Sequence, residues 1–226
     1  DFHKLAAFLG LMDSSLGGTL SAFEVMWNDF YSLIIGDGSK HGQPLETSHA
    51  FYVLLESTGG DETGDPRRFE EALQDAMENN LVCDAVVAQS KQQREELWGI
   101  RDDVEGLVES LFPPMTFDIS LSIPDMDRYV QQLRARLEQQ WPEYRMVTFG
   151  HLGDGNIHLG IGVGSLDPAT VRAVETTVYG TLEDFEGVIS AEHGIGMEKR
   201  AYLHHSRSAE EIALMRTIKR AIDPGN

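Results

Sequence analysis

The sequence predicts a single α+β domain, in which a sheet is backed by helices. Apolar residues recur with helical spacing in several segments, and short strand-like runs lie between those segments. No stretch rich in Pro, Gly or Ser divides the 226 residues into separate units. With 41% hydrophobic and 24% charged residues, the chain has the composition of a folded protein with a sizeable core.

The predicted helices are defined by apolar residues three or four positions apart and by signals at their ends. They cover residues 65–80, 97–111, 124–137, 167–185 and a last segment from residue 208. Asp65-Pro66 provides an N-cap followed by proline at the first helical position. Ser208 and Glu211 form a capping box that begins the last helix.

The predicted strands are short runs between these helices. They cover residues 50–56, 81–87, 116–123, 145–152, 157–163 and 188–190. Residues 5–12 and 20–35 fit either a helix or a strand. The only cysteine, Cys83, lies in an apolar stretch, which predicts a small buried core residue, and a single cysteine excludes an internal disulfide.

The charge balance excludes one class of partner. Eighteen Lys and Arg against 37 Asp and Glu give a net charge of −19, which repels phosphate backbones, so we expect no nucleic-acid partner. No apolar run approaches the roughly 18 residues of a membrane-spanning helix. We expect a cytoplasmic location, with peripheral attachment to the membrane as the alternative. The chain starts without Met and ends at Asn226, so we expect a piece of a longer protein.

Glycine and histidine collect in one part of the sequence. Ten of the 22 glycines and three of the eight histidines fall between Gly150 and Gly196. Asp154-Gly155, flanked by strand-like residues, predicts a two-residue hairpin turn that places His151 directly opposite His158. Opposed residues share a face with Cβ atoms about 4.5–5.5 Å apart, so the two imidazoles can chelate one metal ion.

A third ligand is expected from a glycine-rich segment further along the chain. Glu192 and His193 are adjacent there, so in extended backbone their side chains point to opposite sides. One of them can bind the metal while the other faces a substrate. Asn156, in the hairpin turn, can donate a hydrogen bond to a bound carboxylate or hydroxyl. The same spacing also fits a solvated histidine pair that binds nothing.

At these residues the sequence resembles a known family. HLGDGNIH at residues 151–158 and AEHGIGMEK at residues 191–199 are similar to two signatures of the FAD-linked oxidases that act on D-2-hydroxy acids. That group includes D-lactate, glycolate and D-2-hydroxyglutarate dehydrogenases of the vanillyl-alcohol-oxidase type. LSAFEVMW at residues 20–27, LWGIR at residues 97–101 and LMRTIK at residues 214–219 also fit, so the resemblance covers nearly the whole chain.

The resemblance implies that residues 1–226 are the C-terminal, substrate- and metal-binding domain, and that an FAD-binding domain lies upstream and is absent from this chain. It also implies a ferredoxin-like antiparallel sheet backed by helices, with a C-terminal helical segment. The alternating elements agree with that fold but do not distinguish it from a parallel sheet.

Site residues are implied by position in the same motifs. His151, His158 and Glu192 match the ligands of a divalent metal. His193 matches the catalytic base, which lies beside the flavin and thereby contributes to cofactor binding, and Arg101 matches a contact to the substrate carboxylate.

Two further positions bear on the substrate. Asn156 matches a residue near the substrate. Some dehydrogenases of the family have a lysine just before an Asp-x-Ser strand, where it contacts the substrate. The corresponding segment here, PMTFDIS at residues 114–120, has no lysine, so the resemblance does not extend to recognition of a second, distal carboxylate.

The implied reaction is oxidation of a D-2-hydroxy acid to the 2-keto acid by hydride transfer to FAD. The expected metal is zinc, with manganese or iron as alternatives, and the expected electron acceptor is a quinone, a flavoprotein or a cytochrome. A homodimer is one assembly to test. Without the flavin, this chain alone is expected to be inactive. A flavin-independent metallohydrolase and a non-catalytic binding module are the alternative functions.

Overall fold

A five-stranded antiparallel sheet lies at the centre of the protein, whose computed structural model describes residues 1–225. Asn226, the last residue of the predicted domain, lies outside that range. The strands are β1 Leu20–Trp27, β2 Phe51–Ser57, β3 Pro114–Ser120, β4 Arg145–His151 and β5 Asn156–Gly162. Their order across the sheet is β2-β1-β4-β5-β3. The predicted α+β class is confirmed.

Helices connect and cover these strands. They are α1 Phe2–Ser15, α2 Asn28–Ile35, α3 Gly64–Glu78, α4 Lys91–Arg101, α5 Val104–Leu111, α6 Met126–Gln140, α7 Pro168–Leu182 and α8 Ala209–Ile222. Residues 5–12 and 20–35, whose sequence fits either a helix or a strand, belong to α1, β1 and α2 in the structure. The capping box at Ser208 is present, and it begins the C-terminal helical segment α8.

The topology contains a split β-α-β unit. β3 and β4 are joined through α6, and each is antiparallel to β5, which lies between them. β1 pairs with the other side of β4, and β2 completes the sheet at its edge. This arrangement confirms the ferredoxin-like antiparallel sheet that the resemblance implied.

Four details of the predicted elements are wrong. The predicted strand at residues 188–190 is only an isolated bridge between Val188 and Ser120. The apolar run at residues 81–87 makes no strand ladder, because its apolar character comes from Leu81 and Val82 packing against the core. Cys83 is exposed rather than buried. The predicted helix at residues 97–111 is divided between α4 and α5, because the Asp103 side chain accepts the N–H of Gly106 and caps a new helix.

The sheet separates two apolar clusters, because alternate residues of a strand face opposite sides. Val25 of β1 belongs to the larger cluster, together with residues of α1, α3, α6 and α7. Its neighbour Met26 belongs to the smaller cluster, together with residues of α2, α4 and α5.

Two glycines of β5 determine how closely α5 approaches the sheet. A Cβ at Gly160 would lie 2.9 Å from Leu111 Cδ1, and one at Gly162 would lie 2.6 Å from the Leu111 carbonyl oxygen. The missing side chains therefore let α5 rest directly on this end of β5. The opposite end of the strand carries the polar residues of the site.

Candidate metal and substrate site

The β4–β5 hairpin has a different register from the predicted one. Phe149, not His151, is opposite His158, because residues Leu152–Asp154 form a 3₁₀ turn and Gly155 closes it with a φ of 68°. The pairing is thus displaced by two residues, and a displacement of two keeps every side chain on its face. His151 and His158 therefore still lie together, with ring centroids 5.3 Å apart.

Four strands contribute to one row of polar side chains on the face of the sheet that carries His151 and His158. Glu24 of β1 is opposite His151 of β4, and Asp118 of β3 is opposite His158 of β5. Both carboxylates are buried. Sequence reasoning missed Glu24 and Asp118 as site residues, although a charged residue inside an otherwise apolar strand was a signal for each of them.

Glu24 determines which ring nitrogen of His151 acts as a donor. Nδ1 of His151 lies 2.7 Å from Oε1 of Glu24, and since a carboxylate only accepts, this nitrogen carries the hydrogen. In the neutral ring, Nε2 is then the nitrogen that carries the lone pair. Arg101 donates from Nε to Oε2 of Glu24 over 2.9 Å, and its Nη2 lies 3.4 Å from Nε2 of His151. Nε2 of His151 thus lies beside a fixed cation.

The three residues predicted to hold the metal are brought together. Glu192 Oε1 lies 3.7 Å from His151 Nε2, and one ligand atom each from His151, His158 and Glu192 lies within 4.8 Å of the others. Two imidazoles and a carboxylate are donors that zinc and similar divalent ions accept. Half of the Glu192 side chain is exposed, which leaves room for a further ligand from solvent or substrate. The residues present therefore fit a divalent metal.

A second set of ligand atoms shares His158 with the first. Asp118, His158 and His193 also offer one atom each within 4.8 Å of the others. However, Oδ2 of Asp118 already accepts hydrogen bonds from the backbone N–H groups of residues 191, 192 and 193. These bonds occupy the oxygen that faces His193, so the first set is the better donor set.

The environment of His158 favours its neutral form. Burial, followed by the nearby His151 and Arg101, lowers the pKa of His158 from 6.5 to about 4. A neutral imidazole is the form that binds a metal, so this residue keeps a free nitrogen near neutral pH.

The environment of Asp118 favours its ionised form. Burial by itself raises the pKa of Asp118, but the backbone N–H groups of His193 and Glu192 and the charge of Lys199 outweigh that effect and hold the pKa below its usual range. Lys199 lies 3.6 Å from Oδ2 with 12% of its side chain exposed, and burial lowers its pKa. Lys199 was not predicted as a site residue.

The remaining predicted residues also lie at this end of the sheet. The His193 side chain is 65% exposed, and its ring stacks on that of His158 at 6.0 Å between centroids. Asn156 is 1% exposed, and within residues 1–225 neither atom of its side-chain amide has a hydrogen-bond partner. Such a buried, unpaired amide is a group that a bound ligand or water would satisfy.

None of the helices in residues 1–225 is long and apolar enough to cross a membrane.

Comparisons with known proteins identify the family. A family model described as the C-terminal domain of FAD linked oxidases matches residues 1–226. The D-2-hydroxyglutarate dehydrogenase, mitochondrial, of Arabidopsis thaliana is 35% identical over 210 residues, which are 93% of this chain and 37% of the relative. The D-2-hydroxyglutarate dehydrogenase of Xanthomonas citri pv. viticola is 37% identical over 216 residues, 91% of this chain and 44% of the relative.

A further relative supports this family, and a solved structure shares the fold. The D-2-hydroxyglutarate–pyruvate transhydrogenase of Saccharomyces cerevisiae is 33% identical over 218 residues, 93% of this chain and 44% of the relative. The structure of an alkyldihydroxyacetonephosphate synthase superposes with a TM-score of 0.59 at 10% identity, over 99% of this chain and 41% of that chain, and this likeness concerns the fold alone. The chain spans less than half the length of these proteins. By the family match over its full length and by these relatives, the chain belongs to the C-terminal domains of the FAD linked oxidases.

Proposed function

We propose that this chain is the substrate- and metal-binding part of an FAD-dependent dehydrogenase that oxidises a D-2-hydroxy acid to the 2-keto acid. The observation that carries the proposal is the set of His151, His158 and Glu192, which lies beside the guanidinium of Arg101 and the exposed imidazole of His193. An anionic 2-hydroxy acid presents a carboxylate and a hydroxyl that match these groups. The relatives named as D-2-hydroxyglutarate dehydrogenases support this substrate class.

Two groups from outside the chain would supply the chemistry that its side chains lack. A divalent metal held by His151, His158 and Glu192, proposed as zinc with manganese or iron as alternatives, would polarise the substrate hydroxyl as a Lewis acid. FAD, held mainly by a domain upstream of this chain, would accept the hydride.

The chain's own residues would bind the substrate and move its proton. Arg101 is held through Nε by Glu24. Its terminal nitrogens make only longer contacts, Nη1 with Asp102 at 3.5 Å and Nη2 with His151 at 3.4 Å, so their remaining N–H groups can hold a carboxylate through two hydrogen bonds. Among residues 1–225, the exposed imidazole of His193 has no side-chain partner at hydrogen-bond distance, so it can take the hydroxyl proton. Asn156 contributes an unpaired amide to the same face.

The proposal extends to the longer enzyme that contains this chain. Residues 1–226 form one domain of a longer enzyme. The electrons that the flavin of this enzyme receives from the substrate pass to a quinone, a flavoprotein or a cytochrome. A cytoplasmic location and a homodimer are further expectations for the whole protein. D-lactate, glycolate and D-2-hydroxyglutarate are the substrates to compare, because residues 114–117 carry no lysine to contact a distal carboxylate.

Flavin bleaching tests this function in the longer flavoprotein that contains this chain. We expect anaerobic addition of one of the three hydroxy acids to reduce the flavin, chelation of the metal to stop the reduction, and zinc to restore it. His193→Ala should lose rapid flavin reduction while it retains its metal. Absence of flavin from the full-length protein would favour a metallohydrolase. Absence of metal, together with no effect of substitutions at His151 and His158, would favour a binding module.

A further inference from the structure

The segment that leads into the loop of Glu192 and His193 pairs with β3 through two backbone hydrogen bonds between Ser120 and Val188. The loop itself is bound to the sheet by one buried side chain. Oδ2 of Asp118 accepts the backbone N–H groups of Ala191, Glu192 and His193 at 3.1, 3.0 and 2.9 Å, and the hydroxyl of Ser190 at 3.2 Å. The three residues of the loop are exposed and belong to no helix or strand. Their backbone position therefore depends on this carboxylate.

Lys199 compensates the charge of this carboxylate. The side chain of Asp118 has no exposure to solvent, and Nζ of Lys199 lies 3.6 Å from its Oδ2. The same ammonium donates to Ser190 Oγ over 2.9 Å. A buried carboxylate is stable only when it is paired and hydrogen-bonded, and here the loop and the lysine together satisfy Oδ2.

The other oxygen of the same carboxylate faces a metal ligand. Within the described part of the chain, Oδ1 of Asp118 is buried and has no hydrogen-bond partner. It lies 3.9 Å from Nδ1 of His158, so an approach of about 1 Å would form a hydrogen bond. Oε1 of Glu24 already accepts Nδ1–H of His151 over 2.7 Å. Histidines that ligate a metal usually donate their second ring N–H to a carboxylate or carbonyl.

We propose that Asp118 is a positioning residue for both parts of the metal site. Its Oδ2 holds the loop that presents Glu192 and His193, and its Oδ1 accepts Nδ1–H of His158 when that residue binds metal through its other nitrogen. One side chain thereby sets the distance between the hairpin ligands and the loop ligand. This inference rests on the proposed function, because it concerns the same ligands.

Zinc binding to the protein, measured by calorimetry, tests the effect on the ligands. Asp118→Asn keeps the size of the side chain but replaces one acceptor oxygen with a donor and removes the charge. We expect the Kd for Zn²⁺ to rise roughly 10- to 100-fold. Asp103→Asn is the matched control, because Asp103 is also buried and also binds a lysine, a histidine and a backbone N–H, but contacts none of the site residues. The control should keep the wild-type Kd.

Amide hydrogen exchange in the wild-type protein tests the loop without any substitution. The N–H groups of Ala191, Glu192 and His193 should exchange at least about tenfold more slowly than those of Gly194 and Gly196 in the same exposed segment. In Asp118→Asn, if it folds, this difference should disappear. In the zinc-loaded wild type, the ¹⁵N and ¹H shifts of His158 should show a hydrogen on Nδ1.

The outcomes separate the two proposals. A wild-type protein that binds no Zn²⁺ contradicts the proposed metal site, while the amide exchange still decides whether Asp118 holds the loop. Equal exchange at all five amides, or an unchanged Kd in Asp118→Asn, overturns the role of Asp118. Complete loss of binding in Asp118→Asn with no effect of Glu192→Gln also overturns it, because Asp118 would then be a ligand itself.

Discussion

His151 and Glu24 are 127 residues apart in the sequence, yet Nδ1–H of His151 donates to Oε1 of Glu24 over 2.7 Å across the β1–β4 pair. The other oxygen of Glu24 accepts from Nε of Arg101. One buried carboxylate therefore sets the tautomer of a proposed metal ligand and the orientation of a proposed substrate-binding cation. Metal affinity and substrate affinity are expected to depend on it together.

Glu24→Gln should weaken metal binding. A neutral amide is a poorer acceptor for Nδ1–H of His151, and the change also removes the buried anionic partner of Arg101, which keeps only a 3.5 Å contact with the exposed Asp102. We expect the Kd for Zn²⁺ to rise roughly 10- to 100-fold in calorimetry. Glu56→Gln on the neighbouring strand β2 is the control, because Glu56 binds Trp98 and not a site residue. Equal effects of the two substitutions would argue against a specific role for Glu24.

Gly150→Ala should disturb the hairpin that carries both histidines. A Cβ at Gly150 would lie 2.4 Å from the carbonyl oxygen of Asn156 and 2.8 Å from Cα of Ile157, so the backbone of β5 must move. We expect a loss of about 1–3 kcal/mol in the free energy of unfolding, together with weaker zinc binding. Gly153→Ala in the same motif is the control, since its Cβ meets nothing within 4 Å. Denaturant unfolding of both variants measures the difference.

Arg101→Lys in the full-length flavoprotein should lower kcat/KM for the hydroxy acid roughly 10- to 100-fold, because lysine cannot reproduce two parallel hydrogen bonds to a carboxylate. Arg145→Lys provides the control, because Arg145 lies at the other end of β4 and donates to the carbonyl of Ser110. A full-length Arg101→Lys enzyme with unchanged steady-state kinetics would remove Arg101 from the substrate site.

The lowered pKa of His158 predicts a pH dependence of stability. Between about pH 6.5 and 4 the unfolded chain binds a proton at this residue that the folded chain does not, so the free energy of unfolding should decrease as the pH falls through that window. The contribution is at most about 1.4 kcal/mol per pH unit and ends below the folded pKa. This decrease in the free energy of unfolding should be absent in His158→Gln and present in His3→Gln, a control at an exposed histidine. Urea unfolding of the protein without added metal at a series of pH values measures it, and identical pH profiles for the wild type and His158→Gln would contradict it.

The hairpin shows how far the sequence determined the site. The predicted register was wrong by two residues, because a 3₁₀ turn replaced the two-residue turn. His151 and His158 were nevertheless placed on one face, since the faces of a strand repeat every two residues. The motif therefore placed His151 and His158 correctly as neighbours without predicting the turn.

The buried carboxylates could not be placed in the same way. Glu24 and Asp118 reach the site only through the strand order β2-β1-β4-β5-β3, and local periodicity contains no information about which strands pair. The apolar run at residues 81–87 failed for a related reason, because contact of Leu81 and Val82 with the core gives the same pattern as a buried strand. The α+β class, by contrast, followed from local patterns alone.

Anomalous diffraction at the zinc edge from zinc-loaded crystals directly tests whether His151, His158 and Glu192 bind a metal. We expect one strong peak about 2.0–2.2 Å from Nε2 of His151, a ring nitrogen of His158 and a carboxylate oxygen of Glu192. No peak at these residues, or a peak bound by Asp118 and His193 in their place, would contradict it.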